Sequence, residues 1–460
     1  MNHRFLLAVL LVGGLVPMAV AADSKSDDKT KLPEAMDLCK YQTPFRNQGG
    51  RDTCPYFPPI AALEAAYGRT GVKVDLSVEH LIWLRNLTAG SDKNASGVAE
   101  DLSCMVGGGN GMGILRQFAV CRAQDMPYHG ENIQTTPFGK TMGVERYDWG
   151  KPFSQFVLDR WNFDPHVLPP QARAHARYGI ESYKSIAPQD LQDPRKYEEV
   201  LADGREIVFS INIHDNAPGP KPGELPVWHF NPDSKAGTVN HFMLIVGYNR
   251  PHKFFVVKNQ WGSVHYAANP KALAPGWKDA LKYEGYTLVG YDYLATCSEA
   301  HYITEVAPVG SPRFTSQRAL GEWKVTFQHK DAKLLTGVLC WRKLPLAAAG
   351  SNKADLRIGD LYTADHQQYR VNAELDGDGT KPYEVKLYVD FVKGVLPTDS
   401  TSGAAWSGTL TLPESGKSIL SLKSAGGERQ KIKDIDVEDV VMTAELGRDT
   451  NLLKAMPEPK

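Results

Sequence analysis

The sequence predicts an α+β chain that ends in an all-β domain. A cysteine, Cys54, stands at the mouth of an alanine-rich apolar run, Ile60-Ala61-Ala62-Leu63-Glu64-Ala65-Ala66-Tyr67, which reads as a helix. Downstream, Val239–Tyr248 and Phe254–Gly262 are apolar, strand-like runs with polar ends, separated by a turn around Asn249-Arg250-Pro251. From about Val306 onward, short strand-like runs alternate with turn residues, the pattern of an all-β sandwich or small barrel of about 150 residues.

At 460 residues the chain is long enough for two or three domains. It is 42% hydrophobic and 23% charged with a formal net charge of −1, which gives no electrostatic reason to expect nucleic acid or an anionic membrane as partner. Asn2-His3-Arg4, an apolar Phe5–Val16 and the small-residue site Ala19-Val20-Ala21 read as a signal peptide over 1–21. The apolar stretch is short for a membrane span, and no other long one exists. A secreted or periplasmic protein with no integral membrane segment after signal removal is expected. Residues 22–42 form a leader, charged from Asp23 to Lys31. With Cys54 kept as a free thiol, Cys39, Cys104, Cys121, Cys297 and Cys340 remain, and two disulfides plus one spare thiol is the simplest arrangement in an oxidising compartment. No Cys-x-x-Cys pair occurs, so no zinc knuckle is expected, and no metal site is assigned.

The elements follow in order. The helix after Cys54 should run to about Arg69 and stop at Gly71; Pro55 suits a first turn, but Pro58 and Pro59 predict a late or irregular start. Ser77 is an N-cap ahead of a 3.6-period stripe reaching Leu84, with His80 as a surface or core residue. A helix is expected over Ile114–Arg122, and another over Asp193–Gly204, with Asp193 as N-cap and Pro194 in its first turn. A strand over Glu206–Ile213 precedes the Pro/Gly-bearing loop Asp215–Thr238, and Gly285–Leu294 is a later strand. In the β domain, strands are expected at Trp323–Phe327, Leu334–Leu344, Tyr369–Ala373, Tyr383–Val392, Trp406–Leu412 and Val440–Ala444. Asp376-Gly377-Asp378-Gly379 lacks the spacing of a full calcium loop and reads as a hairpin turn.

Chemistry concentrates at three places. A loop delivering a thiol to a helix N-terminus favours thiolate, because unpaired N–H groups and the dipole favour an anion there. Gln48, six residues before Cys54, is placed to donate to a developing oxyanion. His241 is the candidate base and Asn259 its orienting partner, on strands that an antiparallel pairing would bring together.

Gln48…Cys54, Asn240-His241 and Lys258-Asn259-Gln260-Trp261-Gly262, in that order, resemble the papain-like cysteine peptidases, above all bacterial members with a Gln-Gly-x-Arg-x-Thr-Cys loop. The resemblance implies a two-lobed fold, a helical lobe plus an antiparallel β lobe, over 43–304, with an insertion at about 129–177 and the β domain at 305–460. The insertion is rich in aromatics and is expected to pack, either as a lid or specificity wall or as a surface subdomain.

The mechanism it implies is a Cys54 thiolate paired with protonated His241, attack on a peptide carbonyl, an acyl-enzyme intermediate, Asn259 holding the imidazole, and Gln48 with the Cys54 N–H at the oxyanion. Trp261 would shield the His241–Asn259 bond. Cys104–Gly109, with Gly107 and Gly108, resembles the glycine-rich loop that pairs with an extended substrate. In many relatives that loop's cysteine is bridged to the position held here by Arg51, so Cys104 pairs elsewhere, with Cys121 nearest, or stays reduced. The expected activity is peptide-bond hydrolysis with a polypeptide substrate and no cofactor. Two alternatives stand beside it: a catalytically weak binding protein with the β domain as recognition module for an unidentified ligand, and an acyl-transfer enzyme using the same site.

Overall fold

The computed structural model describes residues 32–89, 108–130, 154–214, 227–233, 238–262, 286–330, 332–343, 355–377, 379–390, 404–413, 417–426, 431–432, 435–436, 440–447 and 451–456. The expected signal peptide, 1–21, and the expected leader up to residue 31 lie outside them.

Helices form one lobe. α1 (Phe57–Arg69) is buried on all sides from Phe57 to Tyr67, as an alanine-rich helix without a polar stripe must be. A 3₁₀ turn, Cys54–Tyr56, precedes it, the irregular start that the prolines predict, and Gly71 follows its end at φ +87°. α2 (Val78–Ala89) is capped by Ser77, whose Oγ accepts from the His80 N–H at 2.9 Å. His80 itself is a core residue; its Nδ1 accepts from the Cys121 N–H at 3.0 Å. The next helix spans Gly108–Gln117 and so begins and ends before the expected Ile114–Arg122. Tertiary packing explains the shift. A Cβ at Gly111 would come within 2.9 Å of Pro59, so the glycines let this helix lie directly on α1. Cys121 falls beyond the helix, between the bridges Val120–Tyr178 and Leu76–Arg122.

The other lobe is a sheet, built from β1 (Ala35–Asp37), β2 (Ile180–Ser185), β3 (Ile207–His214), β4 (Val227–Trp228), β5 (Thr238–Asn249), β6 (Phe254–Lys258), β7 (Thr287–Gly290) and β8 (Glu299–Val306). Its order is β2-β8-β3-β5-β6-β7-β4, with β1 on β5. β6 is buried at every position, as a central strand of continuous apolar sequence should be. Helix Pro194–Ala202 packs on this lobe, with Asp193 accepting from the Arg195 N–H at 2.9 Å as its N-cap. The segment expected to be leader up to residue 42 instead carries β1, because Gly247 lacks the Cβ that would collide with the Met36 carbonyl, and Met36 packs on the lobe's apolar core.

The C-terminal domain is a closed antiparallel barrel of β9 (Gly321–His329), β10 (Ala332–Lys343), β11 (Asp355–Thr363), β12 (Gln368–Asp376), β13 (Tyr383–Asp390), β14 (Ala404–Thr411), β15 (Ile419–Gly426) and a closing strand, β18 (Val440–Leu446). A two-stranded ribbon, β16 (Lys431–Ile432) with β17 (Ile435–Asp436), lies between those last two in sequence. It is thus a barrel and not a sandwich. Trp323, Phe327, Leu339, Trp341 and Trp406 fill its interior. β10 alternates with the period of a strand. Leu339 and Trp341 face the barrel interior, while Val338 and Cys340 belong to the core of the helical lobe, together with Tyr362 of β11.

The described end of the 129–177 stretch lies in this seam. In helix Gln155–Asn162, fully buried Asp159 accepts from Arg342 Nη1 at 3.2 Å, from the Tyr362 hydroxyl at 2.9 Å and from Gln155 Nε2 at 2.9 Å. Trp83 of α2 donates to the Asn162 carbonyl at 2.7 Å. This part of the stretch is a wedge between helical lobe and barrel, neither lid nor surface subdomain. The chain then returns to the same seam: Asn451 donates to Asp164 at 2.8 Å, and Leu453 is buried in the helical-lobe core.

Candidate active site

Asn259 follows directly on β6. The β5–β6 register pairs Leu244 with Lys258, so Asn259 falls opposite Met243, on the same face as His241 and diagonal to it. His241 Nε2 lies 2.9 Å from Asn259 Oδ1, both side chains being buried. Because an amide oxygen only accepts, Nε2 carries the proton and Nδ1 is left as the base. The Asn259 amide is itself fixed by the Gln260 N–H, 2.8 Å from Oδ1, and Gln260 Nε2 donates to the Phe242 carbonyl at 2.8 Å. Trp261 stacks on the imidazole, with ring centroids 4.4 Å apart and planes at 28°, and Trp228 lies 6.0 Å further on.

Cys54 opens the 3₁₀ turn that leads into α1. Its sulfur faces the backbone N–H of Phe242, the residue after His241. Burial pushes the thiol up to about 11, with Asp52 adding to the rise and the Phe242 N–H opposing it. Burial likewise lowers His241 to about 4, against the Asn259 hydrogen bond. Among the described residues no hydrogen bond joins the thiol to the imidazole. Both shifts run toward the uncharged forms, whereas the resemblance implies a thiolate–imidazolium pair. The prolines contribute: Pro55, Pro58 and Pro59 carry no N–H, which leaves few donors for an anion at this helix start.

The Gln48 loop is paired to the segment that bears Asn259 and Trp261. The Gln48 N–H donates to the Gln260 carbonyl at 2.8 Å, the Gly262 N–H to the Arg46 carbonyl at 3.1 Å, and Asn47 bridges Trp261. Gln48 Nε2 donates to the Arg51 carbonyl at 3.1 Å. Cys54, His241, Asn259, Gln48 and Trp261 thus gather where the lobes meet. Gly107 lies outside the described residues, and Gly108 opens a helix, so it offers no extended edge to a substrate.

Sequence reasoning missed the supports of this loop. Arg51, read as the arginine of the loop motif and as the place of a missing cysteine, pairs with Glu79 of α2, and Tyr128 donates to the Gln48 carbonyl at 2.7 Å. An arginine three residues before the thiol was the available signal. Cys39, Cys54, Cys121, Cys297 and Cys340 are all free, which corrects the expected two disulfides. Cys104 lies outside the described residues. The thiols lie in separate places, Cys121 and Cys340 buried and the others half-buried; Cys297 contacts the Tyr197 hydroxyl at 3.3 Å, while Cys340 is in the seam. Among the described residues no group of His, Cys, Asp and Glu is arranged to hold a metal ion, and no helix is long and apolar enough to cross a membrane.

No family model matches the chain, and no curated protein matches it. Solved structures do. Xylellain, a cysteine protease from Xylella fastidiosa, is 16% identical; the match covers 60% of this chain and 88% of that one, with a TM-score of 0.40. Digestive procathepsin L 3 of Tenebrio molitor larval midgut is 14% identical, over 60% of this chain and 71% of that one, with a TM-score of 0.36. The chemistry of the site is carried by the chain's own residues.

Proposed function

We propose that the chain is a cysteine peptidase that works from a neutral resting pair. His241 Nδ1 takes the Cys54 proton as the sulfur attacks a peptide carbonyl; the carbonyl oxygen becomes an oxyanion beside Gln48 Nε2 and the Cys54 N–H. The imidazolium returns its proton to the leaving amine, and water then hydrolyses the thioester with His241 again as base. The observation that carries this reading is the buried His241–Asn259 bond at 2.9 Å under Trp261, which fixes the tautomer that can accept a proton. A polypeptide substrate and export after removal of residues 1–21 belong to the same proposal.

Fluorogenic peptide libraries offered to the purified protein test it. Hydrolysis that disappears in Cys54→Ala supports the reading, and turnover undiminished in that variant sinks it. The neutral pair and the proline-laden helix start favour a second reading, a binding protein with a weak site. Peptide binding without cleavage would point to that reading. Product diverted to an added amine at the expense of hydrolysis would mark acyl transfer.

A further inference from the structure

Arg51 stands three residues before Cys54 and is 5% exposed. Its Nη1 donates to Glu79 Oε2 and to the His129 carbonyl, each at 2.7 Å; its Nη2 reaches Glu79 Oε1 at 3.3 Å; and its guanidinium lies 5.1 Å from the centre of the Tyr128 ring. The carbonyl of the same residue accepts from Gln48 Nε2 at 3.1 Å and from the Thr53 N–H at 2.8 Å. Tyr128 grips the other side of the loop, donating to the Gln48 carbonyl at 2.7 Å with its oxygen 2.7 Å from Thr53 Oγ1. Gly49 completes the contact. It sits at φ +63°, and a Cβ there would come within 2.5 Å of the Gly130 carbonyl oxygen.

A primary amide carries two N–H hydrogens in one plane. Once one is committed to the Arg51 carbonyl, the direction of the other is set. Its aim then depends on where that carbonyl is held, and the forked guanidinium fixes orientation as well as position. Burial keeps the pair with Glu79 little screened by salt.

We propose that Arg51, Glu79 and Tyr128 are positioning residues: a non-covalent staple that aims Gln48 at the oxyanion. The proposal rests on the peptidase reading above. The staple acts on the oxyanion and not on the thiol, so its loss separates two measurements that general damage would move together.

The test compares the full chain with Glu79→Gln and Tyr128→Phe. Peptide hydrolysis gives kcat and KM. A peptide aldehyde reports the oxyanion, because its thiohemiacetal oxygen occupies that position; iodoacetamide reports the thiol, because alkylation at carbon forms no oxyanion. Each variant is expected to lose about 10- to 100-fold in kcat, short of the roughly 10²–10³ of removing a donor outright. KM should stay within about twofold, which marks a contribution made in the transition state. Aldehyde affinity should fall with kcat while the Cys54 alkylation rate is unchanged. Unchanged kcat in the folded variants, or aldehyde affinity and alkylation falling together, overturns the proposal. If Glu79→Gln fails to fold, Tyr128→Phe, which strands no charge, decides alone. An unmodified protein that neither cleaves peptides nor binds the aldehyde overturns the peptidase reading itself, before any variant is compared.

Discussion

At Cys54 and His241, burial is the largest influence and shifts both groups toward their uncharged forms. The consequence is a pH profile governed by the base. Below about 4, His241 is protonated and no longer accepts the thiol proton, so kcat/KM should fall on that acid limb and stay flat from about pH 5 to about pH 9. A titration of kcat/KM against pH checks this; an acid limb near neutrality would mean a different ionising group. Asn259 holds the proton on Nε2, so Asn259→Ala should lower kcat/KM by about 10²-fold through loss of the productive tautomer, with little change in KM. The sequence made this triad legible because its members lie at strand ends and a loop, where spacing and residue type survive without tertiary knowledge. It did not reveal the protonation state, which depends on how much solvent the packed lobes exclude.

At the scale of elements, close backbone approaches decide what pattern leaves open. Gly49 is the sharpest case: its positive φ and the nearby Gly130 carbonyl leave no room for a side chain. Gly49→Ala is expected to cost about 1–3 kcal/mol in backbone strain, read as a lower denaturation midpoint, and to weaken hydrolysis as the Gln48 loop lifts. The same physics explains two misread elements. Gly108 and Gly109 read in sequence as part of a substrate loop, yet they open a helix whose Gly111 lies against Pro59. β11 escaped notice because Gly359 and Asp360 interrupt its pattern; Gly359 is required where the Cys340 carbonyl passes, and Asp360 faces outward to pair with Arg342. β15 escaped too, since only Leu420 and Leu422 face the barrel interior while Ser421 and Lys423 face solvent.

Across the whole molecule, the barrel is welded to the helical lobe. Arg342 satisfies two buried carboxylates, Asp159 and Asp360, so Arg342→Ala leaves charge stranded in the seam. We expect a loss of about 3–5 kcal/mol and, in calorimetry, a single transition broadening or splitting as lobe and barrel lose their joint. Asp159→Ala should cost less, because Asp360 still holds the arginine. Acid should weaken the fold through its buried histidines. His80 is lowered to about 3 and His241 to about 4, from an ordinary 6.5. Below about 6.5 the unfolded chain takes up protons that the folded chain refuses, so this stability is full above that pH and declines as pH falls through the window. The urea midpoint should therefore drop between about pH 7 and about pH 4, and an unchanged midpoint would contradict the assignment.

Local grammar alone determined the alternation of helix and strand, the caps at Ser77 and Asp193, the β character of the C-terminal third, and the order Gln48, Cys54, His241, Asn259, since each depends on residues near one another in the chain. Only the tertiary structure decided that the sheet begins at Ala35, that the barrel closes and shares a core with the helices, that Arg51 grips Glu79 and that burial raises the Cys54 thiol. Those outcomes turn on burial and on contacts between distant segments, and neither leaves a periodic mark in the sequence.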